Sequence, residues 1–280
     1  MKITTGSAQG FVEIDGFRCY APHLADDSSF YPLEGFDISV DAEANSFWCR
    51  SRNRIIRAVI DRFAAPGRPL EMLEIGCGIG GVVRELRRIG RLRITASEIS
   101  LHGLRYARAR FPDVEFVQLD ATEMPFESAF DLVGAFDVLE HIDADDRAMR
   151  GAYQALRPGG LFLVTVPQHA WLWSTLDDAV HHKRRYDRGG LLGRLRAAGF
   201  DVLFCSSFVT ALFPAMAASR LLSRVRRPAR SPSTQITAEV VLPSAANRVC
   251  DLVMRADELA LAAGVPLPFG GSLLAVARRP

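Results

Sequence analysis

The chain has 280 residues, with 34 basic and 32 acidic side chains and a net charge of +2. That length is ample for a buried core, either as one large α/β domain or as a domain with an appendage. The mixed charge carries no mark of a bulk nucleic-acid binder, and the five scattered cysteines (Cys19, Cys49, Cys77, Cys205, Cys250) include no C-x-x-C pair, so they fit free thiols in a reducing compartment better than disulfides or a structural zinc.

In chain order, Met1-Lys2-Ile3-Thr4-Thr5-Gly6 lacks the apolar core of a secretory signal, and the expected location is the cytoplasm. Residues 1–45 are turn-rich, with short extended pieces at Gly10–Ile14 and Arg18–Ala21, and read as an N-terminal cap. From Ser46 to Phe63 a helix is predicted, because Ile55, Ile56, Val59, Ile60 and Phe63 recur at helical spacing with arginines opposite. At its start, Trp48 either lids a pocket or anchors the cap to the core. Ala64–Pro69, rich in proline and glycine, ends the helix.

Next comes Leu73-Glu74-Ile75-Gly76-Cys77-Gly78-Ile79-Gly80-Gly81, followed by an amphipathic segment with Val82, Val83, Leu86 and Ile89. This pattern reads as strand, tight turn and helix, with the turn's backbone open to a ligand. Gly76, Gly78 and Gly81 also satisfy G-x-G-x-x-G, the dinucleotide fingerprint. Glu74, two residues before Gly76, argues against an anionic pyrophosphate and for a ligand carrying an ammonium or sulfonium group.

Strand-like runs then alternate with helical ones: Arg91–Ser97 closing on Glu98, Val114–Leu119 ending at Asp120-Ala121, Phe130–Phe136 entering Asp137-Val138-Leu139-Glu140-His141, and Leu161–Pro167 after a turn at Leu156–Gly160. Such alternation predicts a parallel sheet with helices on both faces. Val202–Ser219 is uncharged, but Ser206, Ser207, Thr210 and Pro214 interrupt it, and its start reads as a sixth strand after helix Gly189–Ala198. Ala211–Arg227 reads as a helix with Leu212, Phe213, Met216, Leu221 and Leu222 on one side and Arg220, Arg224, Arg226 and Arg227 gathering toward its end. It is either an ordinary surface helix or a peripheral contact with anionic lipid at the inner membrane face. Pro228–Thr237 reads as a linker, Pro243–Ala263 as a helix and Gly271–Arg278 as a last strand.

These ordered motifs, from about Glu71 to Val166 and more loosely to Phe208, resemble the class I S-adenosylmethionine-dependent methyltransferases. The resemblance implies a Rossmann-like, doubly wound, seven-stranded mixed sheet. An N-terminal cap (1–45), a core (46–210 and 270–280) and a helical insertion before the last strand (211–269) would make up the chain, with the insertion on the acceptor side. It implies S-adenosylmethionine as cofactor, held by Glu74, Gly76, Cys77, Gly78, Gly80, Glu98, Ile99, Asp120, Ala121, Phe136 and Asp137. Glu98 would hold the ribose diol, and Asp120-Ala121 would sit beside the adenine. Two other readings stay open: a nicotinamide-dependent oxidoreductase using the same glycine loop, and a non-catalytic protein that binds S-adenosylmethionine without transfer.

In open α/β sheets the reacting groups gather beyond the C-terminal ends of the strands. Pro167–Tyr186 is the richest such segment. His169, His182 and His141 are the candidate bases, with Asp177 available to orient a histidine. Trp171, Trp173, Arg184, Arg185 and Tyr186 are candidate acceptor contacts, the arginines for a carboxylate or phosphate; alternatively the arginines tie the loop to the core by salt bridges. His182-Lys183-Arg184-Arg185-Tyr186 resembles a stretch found in one branch of the family, among enzymes of polysaccharide, lipid and natural-product pathways. No Asn/Asp-Pro-Pro-aromatic segment follows the fourth strand, and no paired catalytic cysteines are present. Nucleic acid is therefore not expected as acceptor, and a small or lipid-linked molecule is. No cluster with metal-ligand spacing is visible, so no metal is expected.

Overall fold

The computed structural model describes residues 3–6, 10–26, 31–32, 35–36, 40, 43, 45–225 and 242–280, with backbone only at 3–6 and 222–225. Its frame is one sheet. The strands are β1 (Ile3–Gly6), β2 (Phe11–Ile14), β3 (Phe17–Cys19), β4 (Leu70–Ile75), β5 (Leu92–Glu98), β6 (Glu115–Gln118), β7 (Phe130–Phe136), β8 (Leu156–Pro167), β9 (Asp201–Phe208) and β10 (Ser272–Arg278). They lie in the order β1-β2-β3-β6-β5-β4-β7-β8-β10-β9. From β3 through β6, β5, β4 and β7 to β8 the neighbours are parallel, and β10 enters antiparallel between β8 and β9. Every residue of β7 is buried, as expected of a central parallel strand covered on both faces.

The sheet is larger than the seven strands expected. β4–β10 form the mixed sheet of the resemblance, and the N-terminal segment adds three strands to its β6 edge. The cause is local. Asp15-Gly16, both with positive φ, make a two-residue turn that joins β2 to β3 with Ile14 opposite Phe17. β3 then covers the open amides of β6, and the buried Gln118 side chain bonds both the N–H and the carbonyl of Ala21. Leu156–Gly160, expected as a turn, belongs to β8, where the pairing with β7 shifts register between Phe130 and Leu132.

The helices are α1 (Phe47–Phe63), α2 (Val83–Leu86), α3 (Leu101–Arg110), α4 (Asp145–Ala155), α5 (Thr175–Ala179), α6 (Arg188–Ala197), α7 (Phe213–Val225) and α8 (Ser244–Ala262). One core joins Ile55, Ile56, Val59 and Ile60 of α1 to Met254 and Leu261 of α8 over β4, β7, β8 and β10. On the opposite face, α4 and α6 bury Ala148, Met149, Leu191 and Leu195 against β7, β8 and β10. Arg54 of α1 forks onto Glu258 and also meets Asp251, fixing α8 along α1. The predicted linker Pro228–Thr237 lies outside the described residues. Among the described residues no helix is long and apolar enough to cross a membrane.

Candidate functional site

The carboxyl ends of β4, β5, β7 and β8 converge, and chemistry-bearing side chains collect there in two groups. The first surrounds the glycine loop. Gly76 has φ +66°, and a Cβ there would stand 2.5 Å from Cγ2 of Val138, so only glycine lets the loop after β4 lie against the loop after β7. Glu98 ends β5 and accepts from the N–H groups of Gly78 (2.9 Å), Ile99 (2.9 Å) and Ser100 (3.2 Å). Burial pushes its carboxyl above the ordinary range, and those three amides pull the other way.

Glu74 is 1% exposed, and its Oε2 has no hydrogen-bond partner among the described residues. Burial raises its pKa to about 8; Arg52 opposes that shift, while Glu43 and Glu98 add to it. A carboxyl so placed is neutral near pH 7 and ionises readily only where a bound cation compensates its charge, so a cationic ligand is favoured over an anionic one. Asp120 turns its Oδ1 to the N–H (2.8 Å) and hydroxyl (2.9 Å) of Thr122, while Ala121 is buried in the core. Cys77 is buried with its N–H on the Ser97 carbonyl. Gly80 approaches Phe111 so closely that a Cβ would stand 2.9 Å from that ring. The Phe136 side chain is part of the core. Asp137 has φ +57° and pairs with Arg52 at 2.7 Å, and Arg52 in turn lies over the Trp48 ring. Trp48 packs on the core cluster shared by α1 and α8.

The second group lies beyond β7 and β8. Leu139–His141 form a single 3-10 turn carrying Glu140 and His141. The backbone N–H of Lys183 donates to the Glu140 carbonyl (2.7 Å), which brings His182 over that turn. The His141 and His182 rings stand edge to face with centroids 4.7 Å apart. His182 holds Asp177 through Nδ1 at 2.7 Å, leaving Nε2 directed at Glu140, 3.9 Å away. Asp177 also takes a two-point contact from Arg185, Nε at 2.8 Å and Nη2 at 3.0 Å, and closes the capping box of α5 with Ser174. Burial works to raise the Asp177 pKa, but the bonds from His182 and Arg185 prevail and hold it well below the usual carboxylate range. Burial and the neighbouring His182 drop the pKa of His141 to about 3, so its ring is neutral. Glu140 is 1% exposed and held well above the usual range by burial, with Asp137 adding to the effect.

The remaining acceptor candidates are placed as follows. Arg184 bonds Asp145 and the Asp143 carbonyl. Tyr186 is buried with its hydroxyl donating to Asp145 at 2.6 Å, and burial together with that carboxylate raises its pKa. Arg184, Arg185 and Tyr186 are thus engaged by internal partners. Trp173 donates from Nε1 to Asp178, while Trp171 is 45% exposed. His169 packs on Trp171 and Phe213, apart from the His141–His182 pair.

Sequence reasoning had not assigned Glu140, Arg52 or Glu43. Glu140 stood inside a quoted motif beside His141, and only the fold brings His182 to the two of them. Nor did the sequence point to Tyr31 and Phe36, whose rings link His141 (5.9 Å from Tyr31) to His102 (5.8 Å from Phe36) across the gap between the two groups.

A family profile described as a methyltransferase domain matches residues 73–164, from β4 into β8. A probable S-adenosylmethionine-dependent methyltransferase of Mycolicibacterium smegmatis is 28% identical over 177 residues, 62% of this chain and 67% of that protein. A malonyl-[acyl-carrier protein] O-methyltransferase of Enterobacter lignolyticus is 32% identical over 127 residues, 43% of this chain and 50% of that protein. The chain therefore spans half to two thirds of these curated relatives. Among solved structures, Haemonchus contortus phosphoethanolamine N-methyltransferase 2, in complex with phosphomonomethylethanolamine and S-adenosylhomocysteine, shares the fold at TM-score 0.51 and 23% identity, over 80% of this chain and 52% of that one.

Proposed function

We propose that this chain, which belongs to the class I S-adenosylmethionine-dependent methyltransferases and has S-adenosylmethionine as its cofactor, moves the cofactor's methyl group to an oxygen or nitrogen of a small, anionic or lipid-linked acceptor. The acceptor's lone pair forms the new bond to the methyl carbon, the carbon–sulfur electrons return to sulfur, and the acceptor's proton leaves to a base or to solvent. S-adenosylhomocysteine is the neutral thioether that departs.

The observation that carries this reading is the pairing of a desolvated Glu74 with an amide-bonded Glu98 around one glycine loop. The buried carboxyl of Glu74 suits the positive charge of the cofactor and disfavours the pyrophosphate of a nicotinamide dinucleotide. In this reading Glu98 would hold the ribose diol and Asp120 the adenine. The Glu140–His141–His182 corner, beside the glycine loop through the Gly76–Val138 contact, is where the acceptor's nucleophilic atom would arrive. His182, with Nδ1 fixed by Asp177, is the better oriented of the three candidate histidines.

An acidic acceptor accords with relatives named for malonyl-[acyl-carrier protein] and phosphoethanolamine. Residues 211–269 are proposed to shape the acceptor side: Phe213 meets His169, and Arg220 donates to Ser174 at 2.6 Å. The exposed apolar side chains Trp171 (45%) and Leu221 (51%) support a lipid-linked acceptor and a peripheral membrane approach through 211–227 from the cytoplasm.

Calorimetric titration with S-adenosylhomocysteine, NADH and NADPH tests the cofactor reading. Micromolar binding of the first alone is expected. Glu98→Ala leaves amides without their acceptor and should weaken it at least about tenfold, since a charged hydrogen bond contributes about 1.5–3 kcal/mol. Binding of a nicotinamide cofactor in its place would overturn the reading.

A further inference from the structure

Glu140, His141 and His182 bring one carboxylate oxygen and two ring nitrogens within 4.8 Å of one another, although their spacing in the sequence gave no sign of it. Two of the donors lack partners. Oε2 of Glu140 and Nδ1 of His141 are inaccessible and make no hydrogen bond among the described residues. Leaving such groups unsatisfied costs about 1–3 kcal/mol each, and more for a charge, so a buried corner holding both points to something that completes them. The third donor is prepared in a particular way. Asp177 engages Nδ1 of His182 at 2.7 Å, which leaves Nε2 to face Glu140 at 3.9 Å. A carboxylate on the far nitrogen of a histidine, turning the near nitrogen inward, is the arrangement that orients metal-binding imidazoles.

From this geometry we propose that Glu140, His141 and His182 hold a divalent transition-metal ion, with Asp177 as the outer partner that orients His182. The proposal deepens the functional reading, since it rests on this corner being where the acceptor's nucleophilic atom arrives. Two imidazoles and one carboxylate are a donor set that suits zinc, iron, manganese or cobalt and leaves coordination positions for other oxygens. Bonds of about 2.0–2.2 Å require adjacent donors about 3.0–3.6 Å apart. Starting from separations of up to 4.8 Å, the three groups must therefore close by up to about 1.2–1.8 Å, through rotation of the Glu140 side chain and a swing of His182. The neighbouring charges are balanced. Arg185 is already committed to Asp177, and Arg52 to Asp137. Lys183 points its ammonium to Asp143, 3.7 Å away. An acceptor oxygen bound at an open position would be polarised and lose its proton more readily. His182 would then serve as a ligand and not as the base.

The test is titration of the full-length protein, freed of metal, with Co2+ alone, following its visible d–d absorption and the heat of binding. One equivalent should bind. Glu140→Gln and His182→Gln should each weaken binding by tenfold or more, and Asp177→Asn by about 10–100-fold, the range expected for an outer partner. His23→Ala, at an exposed histidine in the 3-10 turn that follows β3, should bind as the parent does. Circular dichroism and S-adenosylhomocysteine affinity are read on the same samples. They report folding and the cofactor site separately, so the metal assignment can fail while the methyltransferase reading stands. No absorption band at millimolar Co2+ would overturn the proposal. So would a band that persists unweakened in both Glu140→Gln and His182→Gln, since it would place the metal elsewhere and leave His182 free to act as a bare base.

Discussion

At the end of β5 the carboxylate of Glu98 meets backbone; beyond β7 and β8 the carboxylates of Asp137, Asp145 and Asp177 meet arginine, histidine or tyrosine. Glu98 collects amides from its own turn and, 20 residues back, from the glycine loop. Asp177 instead gathers Arg185 and His182, and Asp145 gathers Arg184, Arg194 and Tyr186 from different elements. A site built on main chain tolerates exchange of the surrounding side chains, because every residue supplies an amide. A site built on paired side chains changes whenever one partner does. The first construction suits a cofactor shared by many enzymes, and the second suits an acceptor that differs among them.

The contrast breaks most visibly at Asp177. Its side chain is 1% exposed and opposite Arg185, which is 8% exposed. Asp177→Ala strands a buried guanidinium, unties His182 and removes the capping box of α5. The expected loss is about 3–5 kcal/mol of stability, the usual cost of removing one partner of a buried pair, measured by denaturant unfolding. A loss under about 1 kcal/mol would mean that the loop after β8 is held by something else. The pH dependence has a definite sign. A carboxyl whose folded pKa is depressed stabilises above its ordinary value near 4 and loses that contribution as pH falls through the folded value. The parent should therefore shed stability over that acid range more steeply than Asp177→Ala.

The same contrast explains what the sequence allowed one to read. β4, β5 and β7, the glycine loop and the acid at Glu98 are local features, written in consecutive apolar residues, glycines and one carboxylate. The structure places β5 at Leu92–Glu98 and β7 at Phe130–Phe136, within a residue of expectation, and runs β4 over Leu70–Ile75, starting three residues before the stretch read as strand. The Glu140–His141–His182 corner depends on the Lys183 amide reaching the Glu140 carbonyl, a contact between distant segments that no periodicity encodes. Arg52 was legible only as one arginine among several on α1, yet it is the one that turns inward to Asp137. Two of the extra strands were legible as short extended pieces, at Gly10–Ile14 and Arg18–Ala21, but their pairing with β6 was not. Asp15-Gly16 is a hairpin signal, yet pieces this short were read as a cap and not as part of the sheet.

A smaller effect, opposite in sign for stability and for binding, separates structure from cofactor at Glu74. Its carboxyl is raised to about 8 by burial, so in the folded chain it carries its proton near neutrality. Stability from this group is complete below the ordinary carboxylate value and drains away as pH rises toward 8. Glu74→Gln keeps the shape and never ionises, so it should melt higher than the parent at pH 9 and close to it at pH 5. Cofactor binding should move the other way. A sulfonium or ammonium beside Glu74 favours the ionised form, so binding to the parent should release a proton, seen as a buffer-dependent heat. Glu74→Gln should bind S-adenosylmethionine about tenfold more weakly, about 1.4 kcal/mol, without that release. Equal proton release in the two proteins would remove Glu74 from the cofactor site.

The smallest expected effect belongs to Trp171, and it sharpens the boundary between the two sides. Its ring is 45% exposed, with one edge toward Phe213 and His169. Truncation at such a position removes little buried area, so Trp171→Ala should stay within about 0.5 kcal/mol of the parent in unfolding and should leave S-adenosylhomocysteine affinity unchanged. If the ring belongs to the acceptor side, its loss should appear only in binding to vesicles or in the KM for an acceptor. A drop in S-adenosylhomocysteine affinity would show that the loop after β8 reaches back over the cofactor, and that the division between a backbone-built and a side-chain-built half is drawn in the wrong place.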